Sequence, residues 1–366
     1  MDGQTAHSQK PATVRVLVPH LPEAAALLPW LARIDANRFY SNYGPLSREF
    51  AAGLGQLTGA PGVALTCNGT SAIELALRLR APGPGLCLMP SFTFIASAHA
   101  VCNAGLTPFL LNVDPETLAL TPALVTAALA SLPAPPAAVL VISPFGAPPR
   151  QELWAEFEAK HGIPVVFDAA AATTSISGVG RQPVCVSLHA TKVLGIGEGG
   201  AILCSDTVLT EHATAMTGFG FIGAERVSAI RGGNYRISEY TAAVGLAALQ
   251  ALPERIETLR RLTDAYRERL KGRAARLQRG AGDWVTMTLN VILPAQDVAP
   301  TLRRLTEAGI EWRHWWGMGC HRHPAFSEVP RTDLTPTDAL APRVVGLPFH
   351  DSLTLAEIDR VTACLP

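Results

Sequence analysis

The chain has 366 residues, of which 48% are hydrophobic and 16% charged, and its 30 basic side chains balance 30 acidic ones. That length exceeds the usual size of one domain, so a large domain joined to a smaller one is expected, with apolar residues enough for a sizeable core. The balanced charge leaves no basic footprint for nucleic acid or an anionic membrane, and a small molecule is the expected ligand.

Seven cysteines (Cys67, Cys87, Cys102, Cys185, Cys204, Cys320 and Cys364) stand singly without a C-x-x-C pair, which reads as reduced thiols, not a disulfide framework. Met1 to Pro11 is polar and lacks the charged start and apolar core of a signal peptide, and no apolar run approaches membrane-spanning length. The expected location is the cytoplasm.

In chain order, Tyr40-Ser-Asn-Tyr-Gly-Pro45 turns at Gly44-Pro45 into a helical pattern carrying Phe50, Leu54 and Leu57. A strand, Val63 to Thr66, then leads through Cys67-Asn-Gly-Thr-Ser-Ala72 into a helix over Ile73 to Leu79. Strand, small polar turn and helix make an anion cradle, because free N–H groups and the helix dipole face the turn; an ordinary turn capped by Thr or Ser has the same pattern. Further strands are expected at Gly85 to Met89, Thr107 to Val113, Ala138 to Ser143, Pro164 to Asp168 and Val184 to Leu188, with helical segments within Ser91 to Gly105 and Gln151 to His161. Nearly continuous apolar strands alternating with helices predict an α/β fold with a mostly parallel, buried sheet and function at the strands' carboxyl ends.

Val165-Val-Phe-Asp168 ends in a carboxylate 24 residues before Lys192, which lies in Ser187-Leu-His-Ala-Thr-Lys-Val-Leu-Gly-Ile-Gly-Glu-Gly-Gly200. A lysine among small and apolar neighbours is placed to lose its proton and attack an aldehyde, and a strand-end aspartate can partner a pyridinium nitrogen. The pair suggests pyridoxal phosphate (PLP). After Pro253 the texture changes: Arg255 to Arg279 reads as helix, Trp284 to Leu293 as strand, and Val298 to Gly309 and Thr354 to Leu365 as helices, together a smaller α+β domain.

The order of these pieces, with Pro90-Ser-Phe-Thr-Phe94, Gly233-Asn-Tyr-Arg-Ile-Ser-Glu239 and Gly346-Leu-Pro-Phe-His350, resembles the DegT/DnrJ/StrS sugar aminotransferases, PLP enzymes of the aspartate-aminotransferase fold, type I. The resemblance runs from about Arg38 to the C-terminus. It implies a large domain with a seven-stranded-type, mostly parallel sheet plus a smaller C-terminal α+β domain, divided as residues 1–37 (extension), 38–252 (cofactor-binding) and 253–366 (small domain). Lys192 would hold the cofactor and shuttle a proton, and Asp168 would keep the ring nitrogen protonated. Gly69, Thr70 and Ser71, with Ser187, would bind the phosphate. Phe94 would stack on the ring, and Asn234 would reach the partner subunit's phosphate site in a homodimer with shared active sites.

The implied activity is amino transfer from an amino-acid donor, L-glutamate, to a nucleotide-linked keto-deoxysugar, in cell-surface polysaccharide or amino-sugar natural-product biosynthesis. Alternatives are a sugar dehydratase or lyase of the same fold, or a PLP-fold regulator without catalysis; dehydratase relatives replace the lysine by histidine, and here it is retained. Where many relatives carry Gln or His three residues after the aspartate, this chain has Ala171. The run His314-Trp-Trp-Gly-Met-Gly-Cys-His-Arg-His-Pro324 matches no standard zinc spacing, and no metal is expected. Arg313, Trp315 and Trp316 suit either a nucleotide-binding surface or a domain interface, and Gly218-Phe-Gly-Phe-Ile-Gly223 either a lid or a fixed loop.

Overall fold

Alternation of side chains across a pleated strand explains the larger sheet. In the computed structural model, which describes residues 12–223 and 227–366, Val139, Val141, Val165 and Phe167 belong to one buried cluster, while the intervening Leu140 and Val166 belong to another. Strands covered on both faces need apolar residues at every position, which is why these segments read as continuous runs. The strands are β1 (Gly62–Thr66), β2 (Leu86–Pro90), β3 (Thr107–Leu111), β4 (Pro136–Ile142), β5 (Val165–Asp168), β6 (Val184–Ser187) and β7 (Gly200–Cys204). They lie in the order β1-β7-β6-β5-β4-β2-β3, with β7 antiparallel to both its neighbours and the other pairs parallel. This is the expected α/β fold with a mostly parallel seven-stranded sheet. The strand β7 was not expected: Gly200 closes the glycine-rich turn and also opens a strand.

The helices are α1 (Ala24–Asn37), α2 (Pro45–Thr58), α3 (Gly69–Arg80), α4 (Ala96–Asn103), α5 (Pro122–Leu129), α6 (Gln151–His161), α7 (Thr207–Thr217) and α8 (Glu239–Leu270). Phe50 and Leu54 of α2 are fully buried, as their spacing predicts, and Leu57 packs at the edge of the same core. Beyond α8, β8 (Arg276–Leu277), β9 (Leu289–Ile292) and β10 (Val344–Leu347) form a three-stranded antiparallel sheet, accompanied by α9 (Val298–Glu307), α10 (Thr335–Leu340) and α11 (Leu355–Ala363). A capping box of Thr354 and Glu357 starts α11.

Two expectations for this part need correction. The helix over Arg255 to Arg279 ends at Leu270, because Gly272 takes φ +74° and turns the chain into β8. The strand over Trp284 to Leu293 shortens to β9, since the Thr286 hydroxyl bends the preceding segment by donating to the Phe145 carbonyl at 2.7 Å. Within the expected extension, α1 packs on α8 and buries Ile34, and Val14 bridges to Ile310 of the C-terminal part. Met1 to Pro11 lies outside the described residues. We retain the division at residues 252 and 253 as a proposal for the functional units; it falls inside α8, which runs through Pro253 and packs on α2 and on α11.

One buried carboxylate joins the two ends of the large unit. Glu239, fully buried at the start of α8, accepts from the N–H groups of Leu46 (2.8 Å) and Ser47 (2.9 Å) and from the Ser47 hydroxyl, so it caps α2 from outside, and its own N–H donates to the Tyr40 carbonyl. Gly44 must be glycine here, because a Cβ would stand 2.4 Å from the Glu239 carboxyl carbon. Glu239→Ala strands these donors and is expected to lower stability by about 3 kcal/mol, seen as a lower urea midpoint at unchanged slope; Glu239→Gln, keeping one acceptor oxygen, should cost about half as much.

Candidate active site

Asp168 is the last residue of β5, paired with Cys185 of β6, and the next N–H, of Ala169, donates to the Cys185 carbonyl at 2.8 Å before the chain leaves the sheet. Its carboxylate is 6% exposed. Oδ2 accepts from the Ser97 hydroxyl of α4 at 2.6 Å and Oδ1 from the Ala170 N–H at 3.1 Å. No α-helix starts here, so the carboxylate is not a helix cap. Burial pushes its pKa above the ordinary 3.8, while Ser97, Ala170 and the Lys192 charge act the other way and do not cancel the effect.

Lys192 stands in the turn between β6 and β7. That turn folds back on itself: Leu188 N–H donates to Gly199, Ala190 to Gly197 and Ile196 to Leu188, each at 2.8 Å. Gly197 takes φ +97°, and a Cβ on Gly195 would meet the Ala190 carbonyl at 2.7 Å, which accounts for the glycines. Burial lowers the Lys192 pKa from 10.5, and the Asp168 charge opposes that shift without reversing it. Each group therefore feels the other's charge.

The turn after β1 meets the same place. Thr66 pairs with Gly200 and Gly200 with Ser187, so the ends of β1, β7 and β6 lie side by side. Gly69, the first residue of α3, packs so closely that a Cβ would stand 2.8 Å from the Ser187 Cβ. Gly69, Thr70 and Ser71 thus form the first helical turn beside Ser187. The cap is Asn68, whose Oδ1 accepts from the Ser71 N–H at 2.8 Å, and not the Thr or Ser of the alternative reading. With that N–H spent, the N–H groups of Gly69 and Thr70 and the nearby hydroxyls remain to meet an anion.

Phe94 lies three residues before Ser97 and is 56% exposed, its ring open on the single chain. Asn234 is set apart: its side chain accepts from Arg236 at 3.0 and 3.1 Å, and among the described residues no hydrogen bond links it to Gly69, Thr70, Ser71 or Ser187. The adjacent Tyr235 carbonyl, however, accepts from the Cys67 N–H at 2.6 Å. Ser97 was missed by sequence reasoning, since nothing in a helix start of small residues marks one serine as the aspartate's partner.

The run from His314 to His323 packs over the end of β2. Asp338 Oδ1 lies 2.8 Å from His321 Nε2 and Ser91 Oγ lies 2.7 Å from His321 Nδ1; with Nε2–H donating to the carboxylate, Nδ1 accepts the serine proton. Both ring nitrogens are therefore engaged within the protein. Trp316 stacks on Phe145 with centroids 4.0 Å apart and meets Phe92 edge-on, an interface between the sheet's end and the C-terminal part, and Arg313 lies over Trp315. The segment Gly218 to Gly223 is tied down: Phe219 N–H donates to Gly233, Ala229 N–H to Gly220, and Gly218 bridges to Asn234.

This residue set fits PLP. Its aldehyde needs an amine that deprotonates readily, its ring nitrogen a buried anion, and its phosphate unspent N–H groups and hydroxyls. Lys192 Nζ has no hydrogen-bond or ion-pair partner among the described residues, Asp168 is a buried carboxylate near it, and the glycine at position 69 leaves the helix start bare against Ser187. At the position where relatives can contact the ring's phenolic oxygen, Ala171 offers no polar side-chain atom.

The model of the DegT/DnrJ/EryC1/StrS aminotransferase family matches residues 25–366. Protein Rv3402c of Mycobacterium tuberculosis is 32% identical, over 95% of this chain and 88% of its own. GDP-perosamine synthase of Caulobacter vibrioides is 30% identical, over 82% of this chain and 84% of its own. The crystal structure of DesI in the presence of its TDP-sugar product superposes with a TM-score of 0.85 at 30% identity, covering 97% of this chain and 92% of that one.

The lowered Lys192 pKa has a direct consequence for the protein stripped of cofactor. The neutral amine forms at lower pH than in free lysine, so attachment of added PLP to Lys192 should accelerate with pH through a midpoint below 10.5. The rise of visible absorbance reports the rate, with Lys192→Arg as the blank. A midpoint at or above that of free lysine would show a solvated amine.

Proposed function

We propose that this chain, which belongs to the DegT/DnrJ/EryC1/StrS aminotransferase family and is a PLP-dependent aminotransferase, moves an amino group from L-glutamate to the keto carbon of a nucleotide-linked deoxysugar. The observation that carries this reading is the buried Asp168 and the half-buried Lys192 beside the bare start of α3. Nucleotide-sugar chemistry is supported by relatives such as GDP-perosamine synthase and by the likeness to DesI, whose structure holds a TDP-sugar product.

Bound PLP supplies an electron sink for the carbanion left when a substrate carbon loses its proton. The residues around it have separate tasks. Lys192 would hold the cofactor and would serve as the base and then the acid for the proton at the substrate carbon. Asp168 keeps the ring nitrogen's proton in place. Gly69, Thr70, Ser71 and Ser187 bind the phosphate, and Phe94 stacks on the ring, covering hydrophobic surface that is open on the single chain. The two half-reactions follow one another in a ping-pong order, and binding energy from the nucleotide positions the keto carbon.

We also place two copies together with shared active sites. Phe219, Phe221, Ile222 and Val227 are exposed apolar residues, and the first three line an open groove of about 910 Å³ with Tyr43 and Arg236. Asn234 sits at the rim of this surface through its hydrogen bonds to Arg236. All seven cysteines are free, in keeping with a reducing cytoplasm. Among the described residues no helix is long and apolar enough to cross a membrane.

The reading is tested by the absorbance spectrum of the PLP-loaded protein before and after L-glutamate. We expect the visible band to convert to the shorter-wavelength band of the aminated cofactor, and no conversion in Lys192→Ala. A loaded protein that ignores glutamate yet responds to another amino acid would replace the donor, and one that responds to none would contradict transamination.

A further inference from the structure

We propose that Ser97 is a positioning residue for the reaction: through Asp168, its hydroxyl keeps the cofactor's ring proton on nitrogen instead of on the carboxylate. The proposal rests on the reading that Asp168 partners the ring nitrogen.

Ser97, 1% exposed in the first turn of α4, has one hydroxyl proton, and a carboxylate can only accept, so that proton goes to Asp168 Oδ2 at 2.6 Å. Thr93 Oγ1 lies 3.2 Å from Ser97 Oγ and is also buried. Because the serine proton is already committed, Thr93 must be the donor in that second bond. The two hydroxyls therefore form a directed chain, Thr93 to Ser97 to Asp168, in which each donation polarises the next.

The remaining groups facing the carboxylate are the Ala170 N–H on Oδ1, the Lys192 ammonium and the Cys185 thiol on the paired strand. Ala170 is held by the chain itself, and the Lys192 nitrogen changes its bonding whenever it takes up or releases the cofactor. Ser97 is then the side-chain donor that remains in every state of the site. Two bases, the carboxylate and the ring nitrogen, compete for a single proton in a buried pair, and a donor fixed on the carboxylate lowers its share. Without that donor the proton moves toward Asp168, the pair becomes neutral, and the ring loses the charge that makes it an electron sink. A hydrogen bond to a charged group is worth enough to change such a proton ratio by about tenfold or more.

The test is nitrogen NMR of the holoprotein loaded with PLP isotopically labelled at the ring nitrogen, at neutral pH, in the wild type and in Ser97→Ala, Ser97→Thr, Thr93→Val and Asp168→Asn. The wild type should show a protonated nitrogen. Ser97→Ala should move the signal toward the unprotonated value, corresponding to at least about a tenfold fall in the protonated-to-neutral ratio, with cofactor still bound. Ser97→Thr should restore it, and Thr93→Val, of equal volume, should move it in the same direction by less. If Ser97→Ala does not fold, Thr93→Val against Ser97→Thr decides. A wild-type signal in the serine and threonine variants, with Asp168→Asn shifted, overturns the role of Ser97 and leaves that of Asp168 intact. A wild-type signal in Asp168→Asn removes the reading on which the proposal stands, and the proposal with it.

Discussion

A carboxylate and a lysine withdrawn from water at the ends of neighbouring strands set the terms for the rest of this site. Their mutual attraction opposes desolvation but does not overcome it: Asp168 holds a proton more tightly than a free aspartate and Lys192 less tightly than a free lysine. Such a pair is a poor contribution to stability. It is a good reception site for a third group that brings an aldehyde to the amine and a basic ring nitrogen to the carboxyl: Lys192 already leans toward the neutral amine an aldehyde requires, and a protonated ring nitrogen would supply the positive charge that keeps Asp168 an anion. The hydrogen bonds from Ser97 and Ala170 keep the burial of Asp168 from going too far.

The backbone makes this pair usable by bringing the start of α3 to it. Thr66, Gly200 and Ser187 stand in one row across three strands, and the helix that follows β1 presses its first residue against Ser187. Two missing side chains permit it. A Cβ on Gly200 would lie 2.5 Å from the Asn68 carbonyl, and one on Gly69 would strike Ser187. The antiparallel strand β7 thus does more than join β1 to β6, since its first residue is the spacer that lets the anion-binding turn and the lysine turn share one wall. On the opposite side, Trp316 packed on Phe145 and His321 joined to Ser91 bring the C-terminal part over the ends of β2 and β4.

Much of this was legible in sequence because the physics is local. Continuous apolar runs revealed β1 to β6, and the strand-end Asp168 and glycine-flanked Lys192 followed from residue type and spacing. What escaped was tertiary. Gly200-Ala-Ile-Leu-Cys204 is an apolar strand hidden behind glycines that read as a turn. The helix α1 carries Pro29 and buries only Ile34, a pattern too weak to mark a helix in sequence. A helix was expected only from Arg255 on, yet α8 runs through Pro253 because neighbouring helices hold both of its halves. Ser97, Glu239 and the His321 pairings depend on partners 71, 193 and 230 residues away, a relation that no local pattern encodes.

The most direct measurement of the account is a crystal structure of the protein loaded with PLP. The cofactor should be joined to Lys192, with its ring nitrogen within hydrogen-bonding distance of Asp168 and its phosphate at the start of α3 between Gly69 and Ser187. A phosphate bound elsewhere, or a ring nitrogen turned away from Asp168, would contradict it.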